Sequence, residues 1–225
     1  MIPPLIVRKA LECNINLIAI TDHNASENAQ AVMRAAQGTP LTVLPGIELQ
    51  TKEEVHCLCI FDTQEQLAEI QKLVDEKLPK IPNNIEIFGE QFIVDHTGDF
   101  IKRKETLLLN STNFSFEEAY HVVNDLKGLF IPAHVNRKAF GVIYNLGFIP
   151  STIPLFALEI SRHISPEEAI SLHPQLCNFS IIQNGDVHYL DDFLGATTFY
   201  INKPTVDELT LALKHKNGRN FKVKR

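Results

Sequence analysis

The sequence predicts an α/β fold built on parallel strands, and three observations predict it. Leu17-Ile18-Ala19-Ile20 is a short apolar run that stops at Thr21-Asp22-His23-Asn24. That is the pattern of a strand buried on both faces, whose carboxyl end opens onto a ligand crevice. Strand-like runs then alternate with amphipathic helical stretches along the chain, as parallel α/β architectures require. Finally, acids and imidazoles recur where those runs stop, and in a parallel barrel such ends converge on one face.

Taken in order, Pro3-Pro4 followed by Leu5, Ile6, Ala10 and Leu11 reads as a helix near the first residue, with proline in its first turn. After the strand at 17–20, Ser26 is placed to cap a helix that Gly38 ends. A second strand is expected over 41–44, closed by Pro45-Gly46-Ile47-Glu48, and a third over 55–61, with His56 on the face opposite Val55 and Cys57. Thr63 caps a long amphipathic helix through Lys77. Over 79–113 the pattern loosens into an expected rim insertion, with a hairpin of 91–94 against 100–102. Ser115-x-x-Glu118 is a capping box, and the strand over 129–133 ends at His134. Helix starts recur at Ser165 and Thr205, among strands expected at 156–160, 180–183 and 197–201. The whole of 1–225 reads as one domain.

Composition narrows the function classes. With 44% hydrophobic and 21% charged residues, disorder and coiled coil are poor readings. The apolar runs are strand-sized and the start lacks the pattern of a signal peptide, so the expected location is the cytoplasm, with no membrane partner. Cys13, Cys57, Cys59 and Cys177 are scattered and mostly flanked by apolar residues, which suits reduced, buried thiols rather than metal ligands. A net charge of −6 argues against a stable nucleic-acid complex, and the basic tail over 214–225 reads as a helix end and solvated terminus. No glycine-rich phosphate loop follows any strand, so no nucleotide cofactor is expected.

The candidate chemistry lies at Asp22 and His23, Glu48, His56, His134, and Asp186 and His188. One such histidine would be ordinary core. Four histidines with several carboxylates repeating the same placement are not, and imidazole with carboxylate but no thiolate suits zinc, manganese or iron at a hydrolytic site. Asp186-x-His188 on an extended segment would put two donors on one side.

Ile20-Thr21-Asp22-His23-Asn24, Pro45-Gly46-Ile47-Glu48, Val55-His56, Pro132-Ala133-His134 and Gly185-Asp186-Val187-His188 together resemble successive motifs of the PHP (polymerase and histidinol phosphatase) family. The resemblance implies a distorted (β/α)7 barrel that holds two or three divalent metal ions and hydrolyses phosphate esters with metal-activated hydroxide. By that resemblance Glu48 bridges two metals, His56 and His134 complete one site, Asp186 serves the first, and His23 and His188 serve the third. Asp22 and Arg137 are then the catalytic candidates, Asp22 by orienting an imidazole and Arg137, just after His134, by gripping a phosphate oxygen, with Arg162 and Lys138 behind it. The expected substrate is a small phosphorylated metabolite or nucleotide-derived ester. A nuclease acting on short oligonucleotides and an inactive binding or regulatory domain are the alternatives. Family members open with a His-x-His strand that this chain does not supply. The first strand of the barrel is therefore expected to be missing here, through a late start to the chain, with a degenerate domain or a strand lent by a neighbouring chain as the alternatives, and the first and third sites to be short of ligands.

Overall fold

The computed structural model describes residues 1–224. Helix α1 (Pro3–Glu12) leads to strand β1 (Leu17–Ile20), helix α2 (Glu27–Ala35), and strands β2 (Thr42–Gln50) and β3 (His56–Ile60). Helix α3 (Gln64–Lys77) and a single turn, α4 (Ile85–Phe88), precede the hairpin β4 (Phe92–Val94) and β5 (Phe100–Arg103). Then follow α5 (Phe116–Asp125), β6 (Leu129–Pro132), α6 (Val142–Leu146), β7 (Ala157–Ile160), α7 (Pro166–Leu172), β8 (Ser180–Gln183), β9 (Thr197–Tyr200), α8 (Val206–Leu213) and β10 (Asn220–Val223).

The helix starts lie where local chemistry placed them. Thr63, Ser115 and Ser165 each accept a hydrogen bond from the third residue of their helix, whose side chain returns to the cap backbone. Each pair satisfies two donors that the helix itself leaves free. Ser26 occupies its cap position without a side-chain bond to the helix.

The sheet is mixed, which corrects the expectation of parallel strands. β1 pairs parallel with β2, but β2 pairs antiparallel with β3 and β3 antiparallel with β6. The reason lies in the connection: only residues 51–55 separate β2 from β3, and a parallel return needs a crossover of about a dozen residues. A second correction concerns β2, which runs through Pro45-Gly46 instead of ending there. At Gly46 a Cβ would lie 2.9–3.1 Å from Thr21 Cγ2, Cys59 O and Ile20 O, so the glycine lets three strands close together.

β7 and β8 form a separate parallel pair. Among the described residues the strands do not join into one hydrogen-bonded ring. The fold is mixed α/β, and a closed seven-stranded barrel is not what these pairings describe. The basic tail also differs from expectation, because β10 pairs antiparallel with β9. Phe221 and Val223 alternate with Lys222 and Lys224 there. Arg225 lies outside the described residues.

Alternation along β2 and β3 separates core from chemistry. Ile47, Leu49, Cys57 and Cys59 pack with Leu67, Ile70 and Val74 of α3 and with Phe116, Ala119 and Val123 of α5. The opposite face carries Leu44 and Ile60 against Val206, Leu209 and Leu213 of α8. Glu48, paired with Leu58, and Gln50, paired with His56, continue that second face toward the sheet end. Each fully buried aliphatic side chain contributes about 1.5–3 kcal/mol, which anchors the polar end. Two of the four thiols, Cys57 and Cys59, are buried; Cys177 is exposed and Cys13 half-buried, against the expectation of four buried thiols. Among the described residues no helix is long and apolar enough to cross a membrane.

Candidate metal centre

Three histidines singled out from the sequence, His23, His56 and His134, meet at one carboxylate, Glu48. Glu48 is buried, with Oε1 2.9 Å from His56 Nδ1 and 3.4 Å from His134 Nε2. Its Oε2 lies 3.5 Å from His23 Nδ1. Donor atoms of His23, Glu48 and His56 all lie within 4.8 Å of one another. Burial alone would raise the Glu48 carboxyl, but hydrogen bonds from His134 and His56 outweigh it and keep the group ionised. Burial lowers His23 from its ordinary value, against the pull of Glu48.

The surrounding backbone is bent to hold this cluster. His23 bridges to Glu48 in parallel register, and Asn24 N donates to Glu48 O at 2.9 Å. Asn24 is buried and takes a left-handed conformation (φ 48°). Its side chain donates to Leu108 O and Asn110 O and accepts from Gln50 N. Gln50 Oε1 is 3.2 Å from His56 Nε2, which turns the other ring nitrogen toward Glu48. Phe140 stacks on His56 with centroids 4.3 Å apart. His134, Phe140 and Asp186 also have positive φ, at 30°, 62° and 48°. Strained non-glycine residues of this kind cluster at functional sites.

Asp186 and His188 sit at the rim. Asp186 Oδ1 is 3.2 Å from His188 Nε2, and the His188 ring lies against His23 with centroids 5.7 Å apart. The left-handed Asp186, not an extended segment, brings the pair together. Burial would raise the Asp186 carboxyl, yet the hydrogen bond from His188 outweighs it, and that same bond raises His188.

Asp22 and Arg137 are placed differently from expectation. Asp22 Oδ2 accepts from Asn28 Nδ2 at 3.2 Å, and among the described residues it meets no imidazole. Asn28 also bonds to Phe92 O and Val94 N, so Asp22 is tied to the hairpin instead of orienting a ligand. Arg137 Nη1 donates to Asp186 Oδ2 at 2.6 Å. Its guanidinium is committed to a carboxylate, with Lys138 exposed beside it and Arg162 paired to Asp192.

Sequence reasoning passed over Asn24, Gln50, Asn28 and Phe140. Gln50 was within reach: it stands two residues after Glu48, on the same strand face. Glu159 of β7 is buried beside His134, and burial pushes its carboxyl up to about 7. A cavity of about 1080 Å³ runs from His23, Glu48, Glu159 and His188 past β1 toward Ile182 and Phe199.

The donor set fits a divalent cation. Among the described residues, His23 Nδ1, which lies 3.5 Å from Glu48 Oε2, is buried without a hydrogen-bond partner. Such an atom costs about 1–3 kcal/mol when left unsatisfied. Imidazole nitrogens around an ionised carboxylate are the ligands that zinc, manganese and iron take.

No protein-family model matches the chain, and no curated protein matches it by sequence. Solved structures do. The lesion-specific endonuclease PfuEndoQ from Pyrococcus furiosus superposes with a TM-score of 0.72 at 19% identity, covering 98% of this chain and 53% of that one. A protein provisionally described as a metal-dependent phosphoesterase, from Bifidobacterium adolescentis, gives 0.56 at 15% identity over 84% of this chain and 82% of its own. The fold is PHP-like.

Endonuclease Q in complex with a 27-mer duplex substrate, with an abasic lesion at the active site, also superposes on this chain. Its TM-score is 0.68 at 18% identity, over 96% of this chain and 52% of that one. The chain spans about half the length of these endonuclease Q chains. This neighbour overturns the expectation of a small phosphorylated partner and no nucleic-acid complex. Net charge averages over a whole surface and so does not by itself decide whether one site takes a nucleic acid.

Proposed function

We propose that this chain is a metal-dependent hydrolase of phosphodiester bonds in nucleic acid. The observation that carries the reading is the convergence of His23, His56 and His134 on the ionised Glu48. The PHP-like fold, shared with an endonuclease solved on a DNA duplex, supports the substrate class.

In this reading Glu48, His23, His56 and His134 are the residues that would hold a divalent cation. Asp186 and His188 add donors from the rim. A divalent ion bound there lowers the pKa of coordinated water from 15.7 to about 7 and offsets charge on the phosphate. The protein's own part is orientation. Gln50 fixes the His56 ring, Arg137 holds the Asp186 carboxylate, and Asn24 ties the His23 segment to β2. Arg137 acts here through Asp186 rather than on the phosphate, and Asp22 acts through Asn28 on the position of the hairpin.

The test incubates the purified chain, with manganese or zinc added, with 5′-labelled duplex DNA carrying or lacking one abasic site. Metal-dependent scission that Glu48→Gln abolishes is the expected result. Absence of metal uptake by the wild-type chain, or intact DNA with every metal tried, overturns the proposal.

A further inference from the structure

Glu159 is a buried carboxylate that the reading above does not use. It lies on β7, one strand away from the cluster, and no cation pairs with it among the described residues. Its two oxygens are spent separately. Oε2 accepts the backbone N–H of His134 at 3.1 Å, and Oε1 accepts Asn184 Nδ2 at 2.7 Å. The backbone carbonyl of Glu159 also accepts from Val135 N at 2.9 Å. One residue therefore grips two consecutive N–H groups at the turn where His134 takes its left-handed conformation.

That turn needs an external hold. A φ of 30° on a residue with a Cβ is sparsely populated, and such strain persists only where the surroundings over-determine it. The His134 ring must also keep Nε2 at 3.4 Å from Glu48 Oε1, and its direction follows from the backbone that carries it. Asn184 opens the segment 184–188, which presents Asp186 and His188. The carboxyl group thus joins the turn that carries His134 to the segment that carries Asp186 and His188.

We propose that Glu159 is a positioning residue: by clamping the His134 turn and the Asn184 side chain, it sets the His134 imidazole against Glu48 and holds the Asp186–His188 loop in register with it. The inference rests on the metal-centre reading for its consequence and on hydrogen-bond geometry for its mechanism. Outer partners of this kind typically cost about 10–100-fold in metal affinity when removed.

The test compares wild type with Glu159→Ala, Glu159→Gln and Asn184→Ala. Manganese affinity is read by calorimetry, and histidine ring signals in metal-free protein by ¹⁵N-selective NMR, with His134→Ala assigning the resonance. Glu159→Ala should bind manganese about 10–100-fold more weakly and move the His134 signals while leaving those of His121 in place. Glu159→Gln keeps an oxygen acceptor for the His134 N–H and should fall by less than about tenfold. Where Glu159→Ala fails to fold, Asn184→Ala carries the test, with the same direction expected in both readouts. Wild-type affinity together with unmoved His134 signals in the folded variants overturns the inference. If the wild-type chain takes up no manganese or zinc, the metal reading falls, and the NMR arm still decides whether Glu159 positions His134.

Discussion

Gly141→Ala is the substitution through which the His134 loop can be weighed. Gly141 has φ −89° and ψ 135°, a conformation alanine adopts freely. Judged by the backbone alone, the change should stabilise the chain by about 0.4–1 kcal/mol, through loss of freedom in the unfolded state. The folded loop reverses that sign. A Cβ built on Gly141 would stand 2.3 Å from Arg137 O, 2.9 Å from Val135 O and 3.1 Å from His134 O. All three are backbone atoms of the same loop, with no flexible side-chain end to swing aside. Overpacking of this kind costs about 1–3 kcal/mol, so the net is a loss, and the loop must open to accept the methyl group. For a chain of this length each kcal/mol moves the midpoint by about 2–4 °C. The assay is chemical and thermal denaturation of both proteins, with manganese binding measured in parallel. Gly141→Ala should melt lower and bind metal more weakly, because the same loop carries His134 and Phe140. A variant as stable as wild type, with unchanged binding, would show that the loop yields freely and does not fix the imidazole.

Other outcomes follow from the same geometry. Asn24→Ala should cost about 2–4 kcal/mol, since it strips Gln50 N and two carbonyls of their partner; Asn24→Gly should recover about 1–2 kcal/mol of the left-handed strain, and denaturant titration separates the two. A cation at a hundredfold its Kd should add about 2.7 kcal/mol, or roughly 5–11 °C of midpoint, reversed by a chelator, whereas an unmoved midpoint would count against any bound ion. Burial pushes the Cys57 and Cys59 thiols well up, so a thiol reagent should label Cys177 first, Cys13 more slowly, and the buried pair only on unfolding; fast modification of all four in native protein would contradict the packing of β3.

The parts of the fold that were legible are those decided within a few residues. Thr63 with Gln66, Ser115 with Glu118 and Ser165 with Glu168 each complete a cap inside one turn, so spacing alone finds them. The run at Leu17–Ile20 and the strand before His134 were equally local. In isolation Pro45 and Gly46 are turn residues, and their pattern ends β2 there. Here they stay in the strand because β1 and β3 crowd Gly46 from both sides, a fact of tertiary contact. The antiparallel return to β3 was legible in the short connection and was masked by the expectation of alternating helices. At the site, the donors stood out as residue types at strand ends. Where Asp22 and Arg137 would spend their charge depended on Asn28 and Asp186, distant in sequence, and no spacing rule reaches them.

The left-handed residues around Glu48 carry a consequence for variation among descendants of this gene. At Asn24, His134 and Asp186 the main chain selects before the chemistry does: asparagine, aspartate, histidine and glycine enter that conformation at least cost, and β-branched residues scarcely enter it. A saturation library read only for folded protein should therefore already be narrowed at these three sites. Selection for activity would act on that short alphabet, not on twenty letters.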